Sequence, residues 1–309
     1  MTQDCAILIP AYNSVSTVVE TLQSIRSQRG GLNRLEAVIL ADDASTDQTP
    51  TVAREAWNCL SPELRVMRNP ANCGERMTLN RAAEALPSNV EWFFIIHADD
   101  LAKPNWLEVM LRAADAATLN TVALTASYDV LFADGTIQVG ENFGEEQKVH
   151  IAGTSDAVRD TLVRGCWFKI SSCAMRLSAF RELGGFRADL PQFGDWEFVL
   201  RLLRRGYSID YLPLCLSVYR QLPQSVSSVS FQLHRDIREA LGIVAEYEKF
   251  LTRAELAKRH LWYLYLLARR SGASILSRDL HRFVKGLGLV PAVAANWWRC
   301  ATVSDRINS

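Results

Sequence analysis

Short, unbroken apolar runs alternate with amphipathic stretches through the first two-thirds of the chain. Residues 5–9 (Cys-Ala-Ile-Leu-Ile) end at Pro10, and 35–41 (Leu-Glu-Ala-Val-Ile-Leu-Ala) end at the Asp42-Asp43 pair. Residues 64–68 and 91–96 are two further short runs of this kind. Strands buried on both faces lose polar alternation, so these four read as strands of a mostly parallel sheet. Between them, 14–28 places Val15, Val18, Val19, Leu22 and Ile25 at helical spacing, with Gly30-Gly31 as a stop. Helices are likewise predicted from about Thr49, over 75–86 and over 104–118. This strand–helix alternation is the signature of βαβ units. Beyond it, 121–150 reads as strands and turns with an Asp134-Gly135 hairpin signal, and 156–163 as a short helix. Residues 169–175 read as a strand, followed by a helix to Leu183, a helix over 195–205 and a strand within 207–220. After a Ser-rich boundary at 223–230, only helices are predicted.

Polar clusters fall at the ends of the first four strands: Tyr12-Asn13, Asp42-Asp43, Asn72 to Gly74, and His97 to Asp100. Parallel sheets bind ligands at their carboxyl edge, where strand order switches. Asp99 and Asp100 sit just past an aromatic, apolar strand. Adjacent carboxylates there repel each other and resist desolvation, a conflict that a hard divalent cation resolves. Capping of the next helix explains the same pair without a metal. The run Asp42 to Asp47 fits a loop with a helix cap, or a carboxylate facing the N–H donors of a nucleotide base. Asp195 heads a helix after Phe193-Gly194, where capping again competes with a chemical role.

The chain's 309 residues leave room for one large domain with an appendage, and 49% hydrophobic with 22% charged residues is globular composition. A formal net charge of zero argues against steering toward nucleic acid. The seven scattered cysteines show neither CxxC nor metal-ligand spacing and read as reduced thiols. No signal peptide or membrane-length apolar run is evident, so a cytoplasmic location is expected, including the inner face of the membrane.

Residues 7–13, 42–49, 97–100 and 184–202 resemble, in order and spacing, the motifs of family 2 glycosyltransferases with the GT-A fold. Those motifs are a hydrophobic-Pro-x-Tyr-Asn start, an Asp-Asp-x-Ser-x-Asp-x-Thr loop, an Asp-x-Asp-Asp metal motif, and a Gly-Gly-Phe segment leading to a Glu-Asp helix. The resemblance implies a Rossmann-like α/β catalytic domain over 1–228 and a helical extension over 229–309. It implies inverting transfer from a nucleoside-diphosphate sugar to an acceptor hydroxyl, in polysaccharide or other glycan assembly. Asp42 would bind the donor base. Pro10, Ala11, Tyr12, Asn13, Asp43, Asn72, Gly74 and Arg76 would line the donor site. Asp99 would contact ribose or metal, Asp100 would hold Mg²⁺ or Mn²⁺, and Asp195 would be the general base. Trp167 and Trp196 are candidates for the acceptor region. Arg76 and Arg201 read equally well as structural arginines. His97 replaces the first Asp of the metal motif and is itself a candidate ligand, Gly194 replaces the Glu before Asp195, and Leu222 stands where many relatives carry His.

A catalytically inactive nucleotide- or glycan-binding relative is the alternative those substitutions leave open. A nucleotidyltransferase is disfavoured, because 9–16 contains no Gly, Lys or Arg to cradle phosphates. The acceptor is a glycan, a lipid-linked molecule or a small molecule. The tail from 231 carries 13 Lys/Arg against 7 Asp/Glu, with tryptophans among them. It fits either a helical cap or homodimer contact, or peripheral contact with anionic lipid.

Overall fold

The computed structural model describes residues 4–58, 61–140, 147–222, 225–276 and 280–302, without side chains for 226, 272–283, 301 and 302. Cys59, the start of the Ser-rich stretch at 223–224, and the side chains of His281, Arg282 and Phe283 therefore lie outside the described residues. The chain divides into two compact units. Residues 1–154 and 168–222 make the first, and 155–167 with 223–309 make the second.

The first unit is built on one sheet. Its strands are β1 (Cys5–Ala11), β2 (Leu35–Asp42), β3 (Leu64–Arg68), β4 (Trp92–Ile95), β5 (Leu101–Ala102), β6 (Thr121–Leu131), β7 (Ile137–Gln138), β8 (Val149–Ile151), β9 (Ala174–Arg176) and β10 (Ser208–Arg220). Their order is β3-β2-β1-β4-β9-β6-β10-β5, with β7 on β6 and β8 on β10. The first four strands run parallel, as do β6 and β10. The short strands β5, β7, β8 and β9 all pair antiparallel, so the sheet is mixed, but its long ladders are parallel as expected. Strands of two or three residues carry too little pattern to reveal direction.

Helices α1 (Val18–Arg26), α2 (Thr49–Ala56), α3 (Glu75–Glu84), α4 (Trp106–Asp115) and, beyond the second unit's short α5 (Ser155–Arg164), α6 (Leu177–Glu182) and α7 (Gly194–Arg204) cover the sheet. Consecutive side chains of a strand point to opposite faces. Phe94 therefore packs edge-on to Trp106 of α4, while Phe93 meets Phe180 of α6. Phe180 in turn touches Phe186 and Phe198, which fastens the Gly-Gly-Phe segment and α7 to the sheet. This double-sided burial explains why β4 shows no polar alternation.

The expected strand at 169–175 is shorter than the pattern implies. Only Ala174–Arg176 is extended, because Ser172 takes a left-handed φ of 71° and turns the chain into β9. The Asp134-Gly135 turn does join β6 to β7, with Gly135 at φ 84°.

In the second unit, α8 (Val226–Gln232), α9 (Arg235–Glu246), α10 (Arg253–Leu276) and α11 (Leu280–Thr302) follow one another, and α10 packs along α11. The predicted helix at 156–163 is α5. It belongs with this unit, where Arg159 pairs with Glu255 at 2.5 Å. No helix among the described residues is long and apolar enough to cross a membrane.

Candidate active site

Chain order explains where the site forms. From β1 the chain moves outward through β2 and β3, then returns to place β4 on the other side of β1. The switch point lies between β1 and β4, and ligands bind at the carboxyl ends of such strands. Three loops meet there. The Ala11 carbonyl accepts the N–H of Asp43, and the Pro10 carbonyl accepts that of Ala98. Asn13 and Ala44 both adopt left-handed φ, of 50° and 59°, at the ends of adjacent strands. Asn13 Oδ1 accepts the backbone N–H of Thr46 at 2.8 Å, tying the first loop to the second. Tyr12 is half exposed.

The two carboxylates after β2 do different work. Asp42 is wholly buried; its Oδ2 pairs with Arg68 at 3.0 Å, while its Oδ1 has no hydrogen-bond partner. Asp43 is saturated instead. It accepts N–H bonds from Cys73 at 2.9 Å and Gly74 at 2.8 Å, and one from the Asn69 amide at 2.9 Å. Expected to line the donor site, Asp43 is thus a latch for the 69–74 loop, because both its oxygens face that loop's donors. Gly74, at φ 86°, presents its N–H to this latch in a conformation side chains resist. Asn72 is exposed, and its amide donates to the Asp43 carbonyl at 3.4 Å.

Burial opposes the charge on Asp43, but the hydrogen bonds from Cys73 and Asn69 hold its carboxyl below the ordinary range. Replacing Asp43 by Ala takes the acceptor from three part-buried donors, which costs about 1–3 kcal/mol. A depressed pKa contributes stability above the unfolded value and loses it as pH falls through the folded one. The melting-temperature deficit of Asp43→Ala is therefore expected to be full at pH 7 and to narrow below pH of about 4.

At the end of β4, His97, Asp99 and Asp100 offer donor atoms that all lie within 4.8 Å of one another. Thr21 Oγ1 of α1 stands 2.9 Å and 2.8 Å from the carbonyls of Ala98 and Asp100, which fixes the turn. Asp100 is 1% exposed. Its Oδ1 accepts the N–H of Arg220 at 3.0 Å, while Oδ2 is buried without a hydrogen-bond partner. Burial pushes the pKa of Asp100 up, and the neighbouring Asp99 charge adds to the rise. Burial raises Asp99 as well. An orphaned buried carboxylate oxygen beside a second carboxylate and an imidazole fits a divalent cation, so these residues suit the metal the sequence implies.

A polar chain leads from this cluster to the head of α7. His97 Nε2 is 3.4 Å from Glu75 Oε1, which accepts from Arg76 Nη1 at 2.9 Å. Arg76 Nη2 is 3.6 Å from Asp195 Oδ1. Burial works against these charges, but His97 and Arg76 together draw Glu75 down to about 2. Burial likewise opposes the imidazolium, yet the Glu75 carboxylate pushes His97 up to about 9. Asp195 is 8% exposed at the head of α7. The sequence thus placed Arg76 among donor contacts, whereas the structure pairs it with Asp195.

Two candidates serve structure. Arg201 donates to both oxygens of Glu197, at 3.0 and 2.9 Å, and to the Leu183 and Gly185 carbonyls, stapling the Gly-Gly turn to α7. Trp196 is 2% exposed and packs edge-on to Phe193, so its ring offers no face to an acceptor. Trp167 belongs to the second unit, where its indole N–H meets Thr161.

Glu75, Arg68, Thr21, Asn80 and Arg220 carried no motif signal of their own. Asn80 was detectable in principle, since Asn is a weak helix former and sits inside a predicted helix. Its side chain clasps Phe186, accepting its N–H and donating to its carbonyl, both at 2.8 Å.

The family model for "Glycosyl transferase family 2" matches residues 6–184, which contain the three loops and the His97–Asp99–Asp100 cluster. The chain belongs to glycosyl transferase family 2. Among curated relatives, an uncharacterised protein of Mycobacterium tuberculosis is 28% identical over 77% of this chain and 74% of its own length. The succinoglycan biosynthesis protein ExoA of Rhizobium meliloti is 27% identical over 66% of this chain, which spans 59% of that protein. In fold, the chain is similar to S. aureus TarS 1–349 in complex with UDP, with a TM-score of 0.60 and 17% identity, covering 96% of this chain and 88% of that one. The same protein in complex with UDP-GlcNAc gives a TM-score of 0.59 at 16% identity, with 96% and 89% covered. The chain is thus a family 2 glycosyltransferase with the GT-A fold.

At Gly194, where this family usually carries Glu, a Cβ would lie 3.0 Å from Arg76 Nε and 3.2 Å from its Cδ, so a side chain there would require Arg76 to give way slightly.

Proposed function

We propose that this glycosyltransferase moves a sugar from a nucleoside-diphosphate donor to an acceptor hydroxyl, with inversion and with a divalent cation, in polysaccharide assembly. The observation that carries this reading is that two buried carboxylate oxygens without hydrogen-bond partners, Asp42 Oδ1 after β2 and Asp100 Oδ2 after β4, follow the two strands that flank β1 at the switch point. The names of the relatives support it: one belongs to succinoglycan biosynthesis, and the TarS structures hold UDP and UDP-GlcNAc.

Asp42 Oδ1 would accept an N–H of the donor base, with the backbone of Pro10 and Ala11 and the exposed ring of Tyr12 beside it. Asp99 and Asp100, with His97, would hold Mg²⁺ or Mn²⁺. Bound there, the cation supplies neutralisation of the charge growing on the departing diphosphate. Asp195 would take the acceptor proton as the hydroxyl oxygen attacks the anomeric carbon from the face opposite the leaving group. One displacement inverts that carbon. Arg76, with Nη2 3.6 Å from Oδ1, would orient Asp195.

The test is release of nucleoside diphosphate from a panel of nucleotide sugars, with Mg²⁺ or Mn²⁺ and in EDTA. Metal-dependent release from one donor supports the reading; release from none leaves the inactive relative, nucleotide-binding if UDP or another nucleoside diphosphate still gives a thermal shift and glycan-binding if none does.

The tail adds a contact of its own. Lys258, Trp262, Tyr265 and Arg269 form an exposed stripe on α10, with the two rings stacked at 5.3 Å. Aromatic rings between cations suit an anionic lipid interface. The chain is expected to co-sediment with phosphatidylglycerol vesicles but not phosphatidylcholine ones, and Trp262→Ser with Tyr265→Ser to abolish this. Dimerisation without vesicle binding would point to a second copy instead.

A further inference from the structure

Glu75 is a part-buried carboxylate that the transfer reaction, as derived above, does not use. It stands at the far end of the His97 imidazole from the carboxylate pair. Nε2 of that ring is 3.4 Å from Glu75 Oε1 and has no hydrogen-bond partner at normal geometry. Nδ1 is 3.9 Å from Asp100 Oδ2, the buried oxygen that also lacks a partner. The imidazole therefore spans two unpartnered positions, one toward Glu75 and one toward the cation cluster. Two donors on one small divalent ion lie about 3–4 Å apart, given metal–oxygen distances near 2.1 Å. The gap between Nδ1 and Asp100 Oδ2 falls in that span.

A ligating histidine commonly gives its other N–H to a carboxylate, which fixes the tautomer and raises the basicity of the ligating nitrogen. We propose that Glu75 is the positioning residue of the cation site: it takes the Nε2–H of His97 and so commits Nδ1, facing Asp100, as a nitrogen ligand that makes the site prefer Mn²⁺ to Mg²⁺. This rests on the cation reading given above. The preference follows from ligand chemistry. Mg²⁺ favours all-oxygen octahedral sites and dehydrates reluctantly, while imidazole suits later first-row ions. Ligation replaces a proton on Nδ1 with the ion, since both need the same lone pair. A carboxylate at position 97, as in the usual metal motif, would have been repelled by Glu75. Glu75 and His97 thus make sense as a pair.

The experiment follows Mn²⁺ on the full chain, with and without UDP. Electron paramagnetic resonance counts unbound Mn²⁺, and electron spin-echo modulation detects ¹⁴N bound to the ion. The wild-type chain is expected to bind Mn²⁺ with nitrogen coupling and to favour it over Mg²⁺ in competition. In His97→Asp the coupling should vanish and the Mn²⁺-over-Mg²⁺ preference fall at least about tenfold. In Glu75→Gln, with the fold checked by its melting curve, Mn²⁺ affinity should fall about 10–100-fold while Mg²⁺ binding changes little. Mn²⁺ bound without nitrogen coupling in the wild type, or unchanged Mn²⁺ affinity in Glu75→Gln, would overturn the proposal and leave the carboxylate cation site standing. Absence of Mn²⁺ and Mg²⁺ binding with UDP present would overturn the cation reading itself.

Discussion

Asp195→Asn is expected to lower kcat by about 10²–10⁴-fold, the usual contribution of a general base. Asparagine keeps the shape of the side chain and the oxygen that accepts the Trp196 N–H at 2.8 Å, but it cannot take a proton. Arg76 loses one charge partner and keeps Glu75. The melting temperature should therefore fall only slightly, and donor affinity should stay close to wild type, since Asp42 and the cation cluster are untouched. Steady-state release of nucleoside diphosphate, beside equilibrium binding of the same nucleotide, separates the two quantities. A kcat within tenfold of wild type would move the base role to another residue.

Asp100→Asn should act in opposite directions on stability and activity. The native carboxylate is buried, carries an oxygen without a partner and stands beside Asp99. Asparagine removes the charge and retains the Oδ1 acceptor for the Arg220 N–H. In EDTA the variant is expected to be more stable by about 1 kcal/mol, or roughly 2 °C in melting temperature. With Mn²⁺ and UDP the order should reverse, because only the wild type gains stability from the bound pair. Activity should fall by about 10³-fold, the scale on which lost charge stabilisation at a leaving group is felt. A variant less stable than wild type in EDTA, or one still stabilised by Mn²⁺ with UDP, would show that Asp100 is a structural acid. Such a trade of stability for a site is common where ligand and fold make conflicting demands.

The same conflict makes these carboxylates conspicuous in the sequence. Asp99-Asp100 and Asp42-Asp43 stand out because charge at the end of an apolar strand has no cheap structural explanation when repeated. Position alone did not separate the members of each pair. Asp42 and Asp43 are adjacent, yet one keeps a buried oxygen unpartnered and the other is saturated by the 69–74 loop. Trp196 looked like an acceptor platform by residue type and is sealed against Phe193. Arg76 sat near Asn72 in the chain, but its partner Asp195 is more than a hundred residues away.

By itself, the sequence determined the parallel half of the sheet, the helices that cover it and the strand ends where chemistry gathers. These depend on local periodicity and on where apolar runs stop, which are properties of neighbouring residues. Tertiary structure alone decided the antiparallel strands, the chain of contacts from Asp195 through Arg76 and Glu75 to His97, and the closeness of Arg76 to Gly194. Each of these depends on distances between residues far apart in the chain, set by packing that no local pattern encodes.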